Sequence, residues 1–191
     1  MLADNARDTN NTTAMNTQRL AEPTCAWLAN PMAFAASTID ANQVPPALRD
    51  WVAVAQSLTG ALAAAAGTTP SVSVHYCGAS ALADWEAQML HSASEIGFAR
   101  QIQLAIHTRP LVVARTVLDQ GGVAHNILNE LGNQPLATLL FDSSDWQAAA
   151  GQRLLQTSDG LVGRARRWLH LPSSESIVVE EYFLEAPPRV R

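Results

Sequence analysis

The sequence predicts an α+β fold built on a single, mostly antiparallel β-sheet. Strand-like runs occur in two pairs with short connections, within 97–118 and within 161–184, as expected for β-hairpins. A long helical pattern at 47–67 precedes them and does not link parallel strands. The order of elements therefore lacks the regular βαβ alternation that a parallel sheet requires.

One domain accounts for most of the chain, because 191 residues that are 48% hydrophobic suit a single core. We assign this domain to 23–191 and interpret 1–22, which is rich in Asn, Thr and Asp, as a disordered lead-in. The net charge of −5 disfavours nucleic acid and anionic membranes as partners. No apolar stretch is long enough to span a membrane and no secretory pattern begins the sequence, so we expect a cytoplasmic protein.

The elements before the first hairpin are defined by periodicity and by turn residues. Apolar residues at three- and four-residue spacings predict one helix over 47–67, with Gly67 as its stop and Gly60 as a candidate break. Strict alternation predicts a strand over 71–77. The stretch 79–93 is ambiguous, since its helix-forming residues sit among predicted strands.

The elements after the first hairpin are shorter. The stretch 123–132 predicts a helix that Gly132 caps, and a new element begins at Pro135. Polar residues at 142–144 predict the N-cap of a further helix over 145–156. The closing hairpin pairs 161–171 with 176–184.

Two charged residues lie on the apolar side of their predicted strands. Arg100 shares its parity with Ile102 and Leu104, and Glu181 shares its parity with Val179 and Phe183. Side chains alternate faces along a strand, so both charges point toward the core. An unpaired buried charge costs several kcal/mol, and such a group needs a partner or a ligand. The pattern indicates either a pocket for a small polar acid or a structural ion pair that joins Glu181 to Arg100 or Arg115.

No motif for nucleotide, metal or nucleophilic chemistry is present. GxGxxG, P-loop, HExxH and GxSxG patterns are absent, and the five histidines have no ligand spacing. No metal site is therefore predicted. The basic run at 163–170 places Arg164, Arg166, Trp168 and His170 on one side, which we interpret as a solvated strand face.

Several segments resemble the chorismate–pyruvate lyase family in their order and spacing. They are DWVAVAQSLT (50–59), RQIQLAIHTRPLVVART (100–116), ELGNQPLATLLF (130–141), GLVGRARRWLHL (160–171) and VVEEYFLEAPP (178–188). Together they extend from Leu48 to Pro188, whereas 78–97 matches the family poorly and the N-terminus is longer. The resemblance implies a similar antiparallel sheet with helical flaps that close an internal ligand pocket.

The resemblance also implies site residues. Arg100 is expected to bind the ligand carboxylate, with the backbone N–H of Leu136 as a second donor. Glu181 is expected to hold the ring hydroxyl or to help protonate the departing ether oxygen, so Arg100 and Glu181 are the candidate catalytic residues. Leu58, between Ser57 and Thr59, stands where the family has methionine and is expected to close the pocket. Arg115 also matches the family and is a further candidate for substrate binding.

The implied activity is elimination of pyruvate from chorismate to give 4-hydroxybenzoate for ubiquinone biosynthesis. Aromatisation drives this reaction, so no cofactor or metal is implied, and chorismate and 4-hydroxybenzoate are the expected small-molecule partners of a monomer. The alternative is a non-catalytic module of the same fold that binds a small acid, as in the effector-binding domains of GntR-type regulators. The resemblance makes a geometric prediction: Arg100 and Glu181 face one closed cavity without direct contact.

Overall fold

A computed structural model describes residues 36–188. The predicted lead-in at 1–22 and the start of the domain at 23 lie outside these residues. The elements follow in chain order: β1 (Ala36–Thr38), α1 (Arg49–Val52), α2 (Leu58–Ala66), β2 (Ser71–Ala81), α3 (Asp84–Leu90), β3 (Ile96–Ile106), β4 (Arg109–Asp119), α4 (Val123–Glu130), α5 (Ala137–Asp142), β5 (Trp146–Ala148), β6 (Arg153–Thr157), β7 (Val162–His170) and β8 (Glu175–Phe183).

All eight strands of the described region belong to one antiparallel sheet, which confirms the predicted fold class. Their order is β1-β6-β7-β8-β4-β3-β2, and β5 pairs with β7. The two predicted hairpins are β3–β4 and β7–β8, and β4 pairs with β8 at the centre of the sheet. Only β4 therefore separates the strand of Arg100 from the strand of Glu181.

Helices cover both faces of this sheet. We call the side that carries Arg100 and Glu181 the front face and the opposite side the back face. On the front face, α2 packs over one half of the sheet and α4 and α5 pack over the other half, which leaves a seam between them. On the back face, α3 packs through Trp85, Met89 and Leu90.

The helical pattern at 47–67 forms two helices and not one. The chain leaves the helix after α1 and re-enters it at Leu58, where the hydroxyl of Ser57 accepts a hydrogen bond from the Gly60 N–H. The break thus precedes the candidate position at Gly60. Gly67 ends α2 in the left-handed conformation (φ +69°), as predicted.

The helix predicted over 145–156 is wrong, because the segment forms β5 and β6. Trp146 pairs with His170, and Arg153 begins a second strand opposite Ala165. Gly151 (φ +81°) lies in the connection between the two strands. Pairing with β7 overrides the local helix preference of the alanine- and glutamine-rich sequence. No helix in the described region is long and apolar enough to cross a membrane.

Candidate active site

Arg100 and Glu181 occupy neighbouring rows of the front face. Arg100 lies opposite Thr116 on β4, and Glu181 lies opposite Ala114, two residues further along that strand. Two strand spacings and two residue rises separate their Cα atoms by roughly 12 Å. No salt bridge joins the two side chains in the described region. The absence of direct contact agrees with the prediction, whereas Arg100 is not among the residues that line the cavities described below, so a shared closed cavity stays a prediction.

Arg100 is buried without a carboxylate partner. Its side chain is 2% exposed, and its Nη2 donates hydrogen bonds to the carbonyl oxygens of Gly132 (2.8 Å) and Gln134 (2.9 Å). Within residues 36–188 its Nε and Nη1 groups have no hydrogen-bond partner. These donors are thus available to a ligand, and a carboxylate is the group that guanidinium binds best.

The electrostatics of Arg100 favour an anionic ligand. Burial lowers the pKa of the Arg100 guanidinium, and the nearby Cys77 thiol opposes this shift only in part. An arginine stays protonated at neutral pH, so the buried charge must be compensated by hydrogen bonds or by a bound anion. Two neutral carbonyl groups provide the first kind of compensation and leave the charge itself unneutralised.

Leu136 lies beside Arg100 at the start of α5. It follows the turn that supplies both carbonyl acceptors of Arg100, and Gly132 in that turn has a positive φ of +54°. The N–H of Leu136 makes no hydrogen bond within the described part of the chain. It is a backbone donor two residues beyond an acceptor of Arg100, and its contact with a ligand carboxylate stays a prediction.

Glu181 is held by Arg164, a residue that the sequence analysis assigned to a solvated face. Arg164 Nε donates to Glu181 Oε2 at 2.7 Å, and Arg164 Nη1 donates to the carbonyl oxygens of Val52 and Val54. Arg164 is 6% exposed and the Glu181 side chain is 19% exposed. Arg164 therefore fixes the carboxylate and also joins it to the chain segment that leads into α2.

The interpretation of 163–170 as a solvated face is wrong for three of its four residues. Arg164, Trp168 and His170 are buried on the front face, and Arg166 is half-buried. Trp168 packs edge-on against Phe141 of α5, with ring centroids 5.1 Å apart. The helices that cover the front face therefore exclude solvent from this part of β7.

Two small adjoining cavities lie under the helical seam, with volumes of about 50 Å³ and about 40 Å³. Glu181, Leu58, Leu140, Phe141 and Val179 line both of them. The first also contacts a set of residues at the Arg100 end and along the floor: Ile102, Leu104, Ala114, Thr116, Pro135, Leu136 and Ala137. Residues of α2 and α5, mostly apolar, cover it; Leu58 is among them, and its role in closing the pocket stays a prediction.

Arg115 lies on the back face, so its assignment as a substrate contact is corrected. Its neighbours across the sheet are Gln101 and Glu180, and all three are fully buried behind the strands. Arg115 Nε donates to Glu86 Oε1 at 2.7 Å, and Arg115 Nη2 donates to Ser80 Oγ at 3.0 Å. The sheet itself separates these groups from the front-face cavity.

Metal ligands are not clustered in the described region: no group of three or more His, Cys, Asp or Glu residues there is placed to hold an ion.

Comparison with known proteins agrees with the sequence resemblance. The model of the family described as chorismate lyase matches residues 30–190. A protein of Marinobacter nauticus named "Probable chorismate pyruvate-lyase" is 34% identical over 142 residues, which cover 71% of this chain and 75% of that protein.

Among solved structures, the ligand-binding domain of a GntR-family regulator from Bordetella bronchiseptica aligns with a TM-score of 0.45 and 16% identity, over 64% of this chain and 88% of that one. A GntR-family regulator from Bacillus cereus aligns with a TM-score of 0.42 and 11% identity, over 60% of this chain and 91% of that one. The family match extends over most of the chain and includes every residue of the front-face site. This protein belongs to the chorismate lyase family.

Proposed function

We propose that this protein is a chorismate–pyruvate lyase that converts chorismate to 4-hydroxybenzoate and pyruvate, as a step toward ubiquinone. One observation carries the proposal: a buried arginine with no counter-charge among residues 36–188 and an arginine-held carboxylate lie on one sheet face, with a small, mostly apolar cavity beneath the same helices. A ring with a carboxylate at one end and a hydroxyl at the other matches this order of groups.

In the proposed complex the ring carboxylate accepts hydrogen bonds from Arg100 and from the N–H of Leu136. The ring lies on the floor formed by Ala114 and Val179, under Leu58. The hydroxyl and the neighbouring ether carbon then lie toward Glu181. Removal of water from this volume strengthens each charged contact, because the local dielectric constant is low.

The reaction breaks one C–O bond and one C–H bond of the ring. The ether bond to the enolpyruvyl group breaks, and the neighbouring ring carbon, which bears the hydroxyl, loses its hydrogen as a proton. The ring becomes aromatic as 4-hydroxybenzoate, and the released enolpyruvate takes up a proton and tautomerises to pyruvate. No electron acceptor or metal enters this balance. Glu181 either positions the hydroxyl or delivers a proton to the ether oxygen, and Arg164 holds the carboxylate in place for both roles.

The cavity volume requires the helices to open before substrate enters. A volume of about 50 Å³ holds roughly three to five water molecules, whereas ligand pockets usually measure about 300–1,000 Å³. We propose that α2 and α5 move apart to admit chorismate and close over it. The segment that leads into α2 is fastened to Arg164, so this movement is coupled to the position of Glu181.

A turnover assay tests the proposal. Purified protein is mixed with chorismate, and 4-hydroxybenzoate and pyruvate are measured separately; equal amounts of the two products are expected. Arg100→Ala should raise KM about 10- to 150-fold, which corresponds to the loss of a charge-assisted hydrogen bond of about 1.5–3 kcal/mol. Arg109→Ala is the matched control, because this exposed arginine lies at the β3–β4 turn and pairs with Glu185.

Glu181→Gln distinguishes between the two roles proposed for Glu181. A role in proton transfer predicts a fall in kcat of about 10²- to 10⁴-fold, whereas a holding role predicts a smaller loss. Tight binding of 4-hydroxybenzoate by the unaltered protein without turnover of chorismate would reject the lyase and favour the non-catalytic binding module. The cytoplasmic location and the monomeric state remain predictions.

A further inference from the structure

A second cleft lies on the back face, away from the front-face cavity. It has a volume of about 300 Å³ and lies between the end of α3 and the segment 149–152 that connects β5 to β6. Arg153 of β6 and Arg167 of β7 form part of its wall. The N–H of Ala149 donates to the carbonyl oxygen of Arg167 at 2.9 Å, which attaches the connecting segment to the sheet.

The charges of this cleft are all of one sign. Arg153 lies opposite Ala165, and Arg167 is two residues from Ala165 on the same strand, so the two arginines share the back face as diagonal neighbours. His91, Gln88 and Gln152 also line the cleft, and no carboxylate from residues 36–188 does. In the described region neither guanidinium group has a hydrogen bond or an ion pair.

Two guanidinium groups that line one cleft without an anion repel each other. The protein carries a net charge of −5. Of the arginines buried in the described region, Arg115 and Arg164 each have a carboxylate at 2.7 Å, and Arg100 is the residue proposed to bind a ligand carboxylate. A carboxylate group bridging Arg153 and Arg167 would remove the repulsion and supply charge-assisted hydrogen bonds to both.

The remaining wall of the cleft is apolar. Met89, Ala149 and Ala150 line it opposite the charged groups, and the volume lies at the lower end of the range for small-molecule sites. We propose that this cleft is a second binding site for a small organic acid, whose carboxylate contacts Arg153 and Arg167 and whose hydrocarbon part packs on Met89 and the two alanines. The sheet separates this site from the one proposed for chorismate. The proposal of a second site therefore does not depend on the proposed lyase reaction.

Amide NMR spectra of the full chain test the proposal with benzoate as the probe. Benzoate should cause saturable shifts in the amide signals of 149–152. Inorganic phosphate, which has charge without a hydrocarbon part, and benzyl alcohol, which has the ring without the charge, should bind at least tenfold more weakly. Any benzoate that enters the front-face cavity is recognised separately, by shifts at Gly132 and Leu136.

Variants assign the binding to the arginines. Arg153→Gln and Arg167→Gln should each weaken benzoate binding at 149–152 at least tenfold, whereas Arg109→Gln should leave it unchanged. Ala150→Glu retains both arginines and adds a competing carboxylate at an exposed position, so it should also abolish the shifts. The proposal is overturned by the absence of shifts at 149–152, by phosphate binding as tightly as benzoate, or by Arg109→Gln weakening binding as much as the two cleft variants. The same spectra report whether each variant is folded.

Discussion

The buried charges behind the sheet lead to the most quantitative prediction. Arg115 lies between two carboxylates, with its Nε 2.7 Å from Glu86 and 3.7 Å from Glu180, and all three side chains are 0% exposed. Burial and, next, the charge of Glu86 raise the pKa of Glu180 well above its usual range. Among residues 36–188, Glu180 Oε1 has no hydrogen-bond donor, and a proton on Glu180 shared with Glu86 would supply one. We therefore assign the proton of this cluster to Glu180.

This assignment predicts unequal costs for two substitutions of equal size. Glu180→Gln replaces a neutral acid by a neutral amide and can still accept the hydrogen bond of Tyr182, so the free energy of unfolding should fall by less than about 1 kcal/mol. Glu86→Gln keeps an oxygen for the N–H of Ala83 but removes the close counter-charge of Arg115. Breaking a buried ion pair in this way costs about 3–5 kcal/mol.

The pH dependence has a defined sign. Because the folded-state pKa of Glu180 is raised above its unfolded value of about 4.5, the bound proton stabilises the fold fully below that pH. This stability is lost as the pH rises from about 4.5 toward the folded-state pKa, by at most about 1.4 kcal/mol per pH unit for one proton. Glu180→Gln should lack this slope.

Urea denaturation followed by tryptophan fluorescence measures both effects. Unfolding of the unaltered protein and of the two variants is compared at several pH values between 5 and 8, and the slope is taken as the difference between the unaltered protein and Glu180→Gln. Glu180 does not carry the proton if Glu180→Gln lowers the free energy of unfolding as much as Glu86→Gln does. The same conclusion follows if the unaltered protein and Glu180→Gln have the same pH slope.

Three further changes test the last hairpin and α2. Arg164→Gln should lower kcat/KM for chorismate about 10- to 150-fold, because Glu181 loses its charge-assisted partner. The control Arg166→Gln, which removes hydrogen bonds to a backbone carbonyl and to Gln152, should have a much smaller effect. Equal losses in the two variants would contradict a positioning role for Arg164. Gly163→Ala should cost about 1–3 kcal/mol in denaturation, because the added Cβ would lie 2.5 Å from the Glu181 carbonyl oxygen; a neutral result would mean that β7 and β8 can separate. Gly60→Ala has open space around it, with Ser57 Oγ at 3.5 Å as the nearest atom, so it should raise stability by up to about 1 kcal/mol, and a loss would contradict the assignment of Gly60 to regular helix.

The sequence alone predicts that Arg100 and Glu181 point toward the core, because alternation is a property of the strand itself and needs no tertiary information. The partner of Glu181 required the register of the last hairpin as well. If 172–175 formed the turn, Glu181 would lie opposite Arg166. In the structure His170 lies opposite Glu175, and this register places Glu181 opposite Arg164. Counting outward from the turn would have indicated an arginine opposite Glu181, which was the available signal for the missed residue.

The back face was not predictable by the same means. Gln101, Glu180 and Tyr182 read as polar alternates, yet each is fully buried under α3. Their burial depends on a helix within 79–93, where local preference and the surrounding strands gave conflicting indications. The helix predicted over 145–156 failed for a related reason, since Trp146 and Arg153 gain strand partners from β7, which the local helix preference of the segment does not indicate.

A crystal structure of the complex with 4-hydroxybenzoate tests the central claim most directly. The account predicts one molecule under α2 and α5, with its carboxylate within hydrogen-bonding distance of Arg100 and the Leu136 N–H and its hydroxyl at Glu181. A ligand in the opposite orientation, or one bound away from the front face while Arg100 and Glu181 contact no ligand, would contradict it.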